Sequence, residues 1–224
     1  MITAKLHIPD GFINLPVSAL FALLSVGFIA VSLRKAATDL DDRTTPLAGL
    51  TAVFIFAAQM INFPVAAGTS GHLLGAALAT VLVGPHAATL ALTVVLGVQA
   101  LLFADGGLSA LGLNVFNISV IAVWASFFIF SISKKLLPKN KSGITIAATL
   151  AAYFSVPIAA AGFSIQYAFG GTGTISAGTV ASAMLGTHFL IGFGEALITF
   201  LTVSAIVASR SDLVYGYKPK LEVR

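Results

Sequence analysis

Two histidines, His7 and His72, each stand directly before a long apolar stretch of the chain. His7 lies in the sequence LHIPDG at residues 6–11, and His72 ends the sequence GTSGH at residues 68–72. The chain contains no cysteine, and neutral imidazole is a common ligand for nickel, cobalt, copper and zinc. The pair therefore indicates a metal site held mainly by nitrogen. The alternative interpretation is two interfacial histidines that hydrogen-bond to loop backbone.

A third histidine and an acid occur together in the last apolar stretch. His188 and Glu195 are seven residues apart, so both project from one face of a helix. A carboxylate inside a membrane is costly and usually faces the bundle interior with a partner. Three roles for Glu195 are open: a proton relay, an inner metal contact, or a buried hydrogen bond that fixes the last helix. Asn62 and Asn114 are candidates for the same polar interior.

The composition indicates an integral membrane protein. Of the 224 residues, 58% are hydrophobic and 9% are charged, whereas soluble domains are about a quarter charged. The length predicts a single transmembrane domain over residues 1–224. The net charge of +4 does not indicate nucleic acid binding, because the basic residues cluster in connections between spans. No nucleotide-binding loop and no His-Glu-x-x-His zinc motif occurs.

The predicted fold is an all-α membrane bundle of about seven helical segments. They cover residues 12–33, 47–63, 70–83, 86–104, 112–133, 144–169 and 178–209. Segments three and four are separated by Gly84 and Pro85 and alternatively form one re-entrant hairpin. With an odd number of crossings, eleven of the twelve Lys and Arg residues fall on the side of the C-terminus. That side is predicted to be cytoplasmic, so residues 1–11 form an outward-facing metal-binding segment.

The order of several short motifs resembles the CbiM/NikM family, the substrate-specific membrane components of energy-coupling-factor transporters for cobalt and nickel. The resemblance covers nearly the whole chain. Its marks are HIPDGF at residues 7–12, NFPV at 62–65, GTSGHLLG at 68–75, VQALLF at 98–103, DGGL at 105–108, His188, and IGFGEALIT at 191–199, together with Asn114 and Asn117.

This resemblance implies a metal site and a set of partners. The amine of the first residue, the backbone and ring nitrogens of the next histidine, and the later histidine would bind the ion. Those roles fall here on Leu6, His7 and His72. The implied cargo is Ni²⁺ or Co²⁺, the latter for cobalamin synthesis, with no bound cofactor of the chain's own.

The implied partners are a transmembrane coupling protein, cytoplasmic ATPase subunits and a small accessory membrane subunit. The chain itself would be no enzyme and would lie in a bacterial or archaeal inner membrane. The alternative function is a stand-alone passive or proton-coupled metal carrier that works through His188 and Glu195.

The chain departs from the family pattern because residues 1–5 precede the position of the chelating amine. The favoured interpretation is that translation begins at residue 6, with a leucine codon read as Met. The alternatives are cleavage after Lys5, or a real extension in which His7 and His72 bind with water or another ligand.

The first testable expectation is therefore a mature chain that begins at residue 6. Intact mass spectrometry of the purified protein distinguishes the interpretations. A mass that retains residues 1–5 would exclude both a start at residue 6 and cleavage after Lys5.

Overall fold

The computed structural model describes residues 7–42, 44–60, 63–66 and 69–217, and gives the backbone alone for 63–66 and 69–71. Among these residues, five helices are long and apolar enough to cross a membrane, and one shorter apolar helix accompanies them. The chain is therefore a multi-pass membrane protein. The predicted count of about seven transmembrane segments is not confirmed.

The elements follow one another as helices, with one small interruption. They are α1 (Leu15–Asp39), α2 (Thr44–Gln59), strands β1 (Phe63–Ala66) and β2 (Thr69–Gly71), α3 (Ala76–Leu102), α4 (Leu111–Val115), a π-helical stretch (Phe116–Ala122), α5 (Val123–Leu136), α6 (Lys141–Gly170), α7 (Ala177–Arg210) and a 3₁₀ turn (Ser211–Leu213). Together, α4, the π-helical stretch and α5 form one continuous span over residues 111–136.

A short antiparallel hairpin of β1 and β2 interrupts the otherwise helical fold. The third predicted segment, residues 70–83, accordingly does not begin as a helix; the helix begins at Ala76. Chain that leaves a helix near the membrane interior must pair its backbone N–H and C=O groups with other protein groups. Strand pairing does this for the segment that leads to His72.

The two arms of α3 run in opposite directions. Gly84 has φ 79° and ψ 168°, which are not helical backbone angles, and Pro85 follows it. Gln59 shows the reversal, because its Nε2 donates to the Leu74 carbonyl and its Oε1 accepts from Gln99, both over 2.8 Å. A straight helix would separate residues 74 and 99 by about 37 Å. Segments three and four are therefore the arms of one hairpin, and the first arm spans only about 12 Å.

The described cations gather at one end of the bundle, here called the basic end, defined by residues 34–42, 44, 84–86, 134–141 and 210–217. A shared pocket brings Asp39, Gly84 and Tyr215 together at this end. The opposite end, here called the histidine end, carries residues 7–14, where the Asn14 N–H donates to the Gly170 carbonyl over 2.7 Å. This separation agrees with the charge pattern. The side of the membrane that each end faces stays a prediction.

A test of the α3 reversal follows from Gly84. Its φ lies in the left-handed region, and an added Cβ would come within 2.6 Å of the Tyr215 ring. We expect Gly84→Ala to lower the free energy of unfolding by about 1–3 kcal/mol, measured by thermal melting in detergent. Gly97→Ala is the matched control, because nothing lies within 4 Å of its added Cβ. Equal stability of both variants would contradict the hairpin geometry.

Candidate metal centre

The segment that carries His7 is fixed to the bundle because the Ile8 backbone hydrogen-bonds to the Asn114 side chain. The Ile8 N–H donates to Asn114 Oδ1 over 3.0 Å, and Asn114 Nδ2 donates back to the Ile8 carbonyl over 3.2 Å. The Gly107 N–H also donates to that carbonyl. The Asn114 amide therefore holds both the N–H and the carbonyl of Ile8, the residue next to His7, in an arrangement here called the Asn114 bracket.

Two neighbouring glycines allow this segment to lie close to the loop before α4. Gly106 has φ 93°, and an added Cβ would lie 3.0 Å from the His7 Cβ. An added Cβ on Gly107 would collide with the Asp10 backbone. The Asp10 carboxylate accepts from the Ser109 N–H and hydroxyl over 2.8 and 2.7 Å. The small residues of the Asp-Gly-Gly sequence at 105–107 therefore allow the segment that carries His7 to pack closely against this loop.

His72 is buried, and one of its two ring nitrogens contacts the backbone. Its Nδ1 lies 2.9 Å from the Leu73 carbonyl, and because a carbonyl only accepts, Nδ1 must carry the proton. Nε2 is then the unprotonated nitrogen, which is the form that binds metal. Burial, followed by the neighbouring His7, lowers the pKa of His72 to about 4. The ring is therefore neutral near pH 7, and protons compete little for its lone pair.

His7 and His72 come together as predicted, with ring centroids 5.0 Å apart. His7 Nδ1 lies 3.3 Å from a carboxylate oxygen of Asp105, although the angles do not make a hydrogen bond, and neither ring nitrogen has a hydrogen-bond partner within the described part of the chain. Buried polar nitrogens without partners are rare. The His7 ring therefore lies beside the Asp105 carboxylate, and its two buried nitrogens make no hydrogen bond to the described residues.

A cavity of about 260 Å³ adjoins the two rings. Its polar lining comes from His7, His72, Asn114, Asn117 and His188. Asn117 is held by a reciprocal amide pair with Gln166, with N···O distances of 2.8 and 2.9 Å. The rest of its lining is apolar, so the cavity presents a few polar groups on a mainly hydrophobic wall.

His188 lies in the cavity wall, whereas Glu195 does not. His188 Nδ1 lies 2.7 Å from the Met184 carbonyl, which again leaves Nε2 unprotonated. Both Glu195 oxygens accept backbone N–H groups, from Leu74 and Gly75, over 2.8 Å. Of the three roles left open by the sequence, the structure favours the buried hydrogen bond.

Where the structure describes the chain, no three His, Cys, Asp or Glu side chains approach closely enough to hold an ion. Among these residues, His7 and His72 form a pair of imidazoles and not a complete metal-binding cluster. Leu6 and Asn62, both predicted to belong to the site, lie outside the described residues. Sequence reasoning missed Asp105, Gln59 and Gln166 as supports, although Asp105 belongs to one of the motifs that carry the family resemblance.

These features define a multi-pass membrane protein with a paired-imidazole site at one end. The sequence matches the family described as "Cobalt uptake substrate-specific transmembrane region" over residues 7–213. The chain belongs to this CbiM family and is a component of cobalt or nickel transport.

Individual relatives agree with this assignment. A putative metal transport protein of Haloquadratum walsbyi is 39% identical, with 94% of each chain covered. A putative fused nickel transport protein NikMN of Archaeoglobus fulgidus is 37% identical over 93% of this chain and 68% of its own length. A crystal structure of a transition metal transporter superposes with a TM-score of 0.82 at 28% identity, covering 90% of this chain and 92% of the other.

The Asn114 bracket yields a prediction for metal binding. Asn114→Ala leaves the Ile8 N–H without its acceptor, so we expect Ni²⁺ or Co²⁺ affinity to fall by about tenfold or more, measured by calorimetry on purified protein. Asn140→Ala is the control, because Asn140 accepts a similar bond from the Gly143 N–H at the basic end. An affinity unchanged by Asn114→Ala would show that the bracket does not position His7.

Proposed function

We propose that this chain captures Ni²⁺ or Co²⁺ from the outer side of the cell membrane as the substrate-specific component of an energy-coupling-factor transporter. The observation that carries the proposal is the pair of buried rings, His7 and His72, 5.0 Å apart in the lining of one cavity. Neutral nitrogen ligands suit these ions, whereas Mg²⁺ and Ca²⁺ require oxygen.

The rest of the shell follows from the family resemblance. The amine of residue 6 and the backbone nitrogen of His7 would add two donors to the two rings. Four nitrogens in a plane suit Ni²⁺, and chelate rings within one short segment lose little entropy on binding. The described part of this segment is already held in place by Asn114 and Gly107, which supports a preformed site.

Energy for uptake would come from partner subunits. The chain has no nucleotide-binding loop, so a cytoplasmic ATPase and a transmembrane coupling protein would drive release, with a small accessory membrane subunit. The stand-alone carrier that uses His188 and Glu195 has less support. Both Glu195 oxygens accept backbone N–H groups, and the residue is 1% exposed, so its contacts support a role in holding the residues before α3.

The test compares two histidine variants in cells that contain the candidate partners. His72→Ala removes a proposed ligand, and we expect uptake of radioactive Ni²⁺ or Co²⁺ to fall to background. His86→Ala removes an imidazole at the basic end, where Nδ1 is 3.5 Å from the Ser32 hydroxyl, and should retain most uptake.

Equal amounts of each variant in the membrane, measured by immunoblot, are required for this comparison. Inactivation of the partner ATPase should abolish uptake by the unaltered protein. Uptake that continues without the ATPase, or that survives His72→Ala but fails with Glu195→Gln, would contradict the proposal and favour the carrier.

A further inference from the structure

We propose that Glu195, on helix α7, is a positioning residue that sets the location of the His72 ring. This inference deepens the proposed function and rests on it for the role of His72. Glu195 and His72 lie on separate elements, and the contact between them passes through the backbone at residues 73–75.

The contact, here called the clamp, consists of two hydrogen bonds from the Leu74 and Gly75 N–H groups to the Glu195 carboxylate. Glu195 Oε2 accepts from the Leu74 N–H and Oε1 accepts from the Gly75 N–H, each over 2.8 Å. From the other side, Gln59 Nε2 donates to the Leu74 carbonyl over 2.8 Å. The peptide groups that join β2 to α3 are thereby fixed by side chains from α2 and α7.

The clamp meets a need created by the fold. Helix α3 begins among buried residues, where its first N–H groups, from the N-cap Gly75 onward, have no partner within the helix. Gly75 adopts φ 75° and offers no side-chain cap of its own. From α7, Glu195 accepts one of these groups, the Gly75 N–H, and also the Leu74 N–H just before the helix. A carboxylate at this position interacts favourably with the helix dipole.

The clamp determines where the imidazole lies because the ring is tied to the same backbone. His72 is two residues from Leu74, and its Nδ1 is fixed by the Leu73 carbonyl. A displacement of the backbone at Leu74 therefore moves both the ring and the direction of Nε2. Glu195 itself is absent from the lining of the metal cavity, so it acts on the ion through His72.

Glu195→Gln is the sharpest variant, because it keeps the shape of the side chain. One acceptor oxygen becomes an NH₂ donor that faces a backbone N–H, so one of the two clamp bonds is lost. Glu195→Asp keeps both acceptors but shortens their reach by one methylene. Thr199→Val is the matched control: Thr199 lies one turn further along α7, is equally buried, and its hydroxyl has no hydrogen-bond partner within the described residues.

The experiment measures binding and geometry on the purified full-length protein. Calorimetry gives the Ni²⁺ dissociation constant, and X-ray absorption gives the coordination of bound Ni²⁺. Hydrogen–deuterium exchange of the peptide covering residues 72–76 reports the clamp without metal. We expect Glu195→Gln to weaken binding by about 10–100-fold, change the absorption spectrum and speed exchange. Glu195→Asp should show smaller changes of the same kind, and Thr199→Val none.

Three outcomes would overturn the inference. The first is a Glu195→Gln variant with lower thermal stability but the dissociation constant and spectrum of the unaltered protein, which would show a structural role only. The second is a Thr199→Val variant whose spectrum changes as much as that of Glu195→Gln. The third is unchanged exchange at residues 72–76 in both Glu195 variants. If Glu195→Gln does not fold, Glu195→Asp carries the same comparison. Failure of the unaltered protein to bind Ni²⁺ or Co²⁺ would contradict the proposed function, while the exchange measurement would still test the clamp.

Discussion

The structure depends on the pairing of backbone groups where the chain leaves its helices inside an apolar bundle. An unpaired buried N–H or C=O group costs about 1–3 kcal/mol, and lipid provides no partner. At the start of α3, Glu195 and Gln59 satisfy the N–H groups of Leu74 and Gly75 and the carbonyl of Leu74. The scarce polar side chains of an otherwise apolar sequence are placed where the backbone needs them.

The same constraint shapes the other half of the site. The segment before α1 is not helical, so its backbone must find partners elsewhere. Asn114 brackets Ile8, and the Thr172 N–H and hydroxyl donate to carbonyls at Gly11 and Phe12 over 2.6–3.2 Å. Both histidines thus stand on irregular chain that side chains from distant elements hold in place. A rigid helix would not have allowed the two rings to approach from separate directions.

The sequence predicted those features that depend on local composition. Apolar stretches and clustered cations indicated a membrane bundle with two unlike ends, and both histidines were predicted to lie at one of them. The sequence did not predict the β1–β2 hairpin or the backbone groups that Glu195 binds. Spacing along a helix shows that Glu195 and His188 share a face, but it does not show that one faces the cavity and the other the loop below His72. Which group each side chain faces depends on the reversal at Gly84. The sequence allowed two interpretations of the Gly84–Pro85 pair, a boundary between two spans or the turn of one hairpin.

Ligand type and ligand position contribute differently to selectivity at such a site. Imidazole nitrogens exclude Mg²⁺ and Ca²⁺ in favour of later transition metals. They do not separate Ni²⁺ from Co²⁺, because both accept nitrogen, and the difference lies in the preferred geometry. Geometry is set by where each ring is held: Asn114 determines it on the side of His7, and Leu73 with the clamped residues after it on the side of His72. Under the proposed function, discrimination between the two ions would depend on groups that do not touch the metal, and the Glu195 clamp on α7 would be one of them.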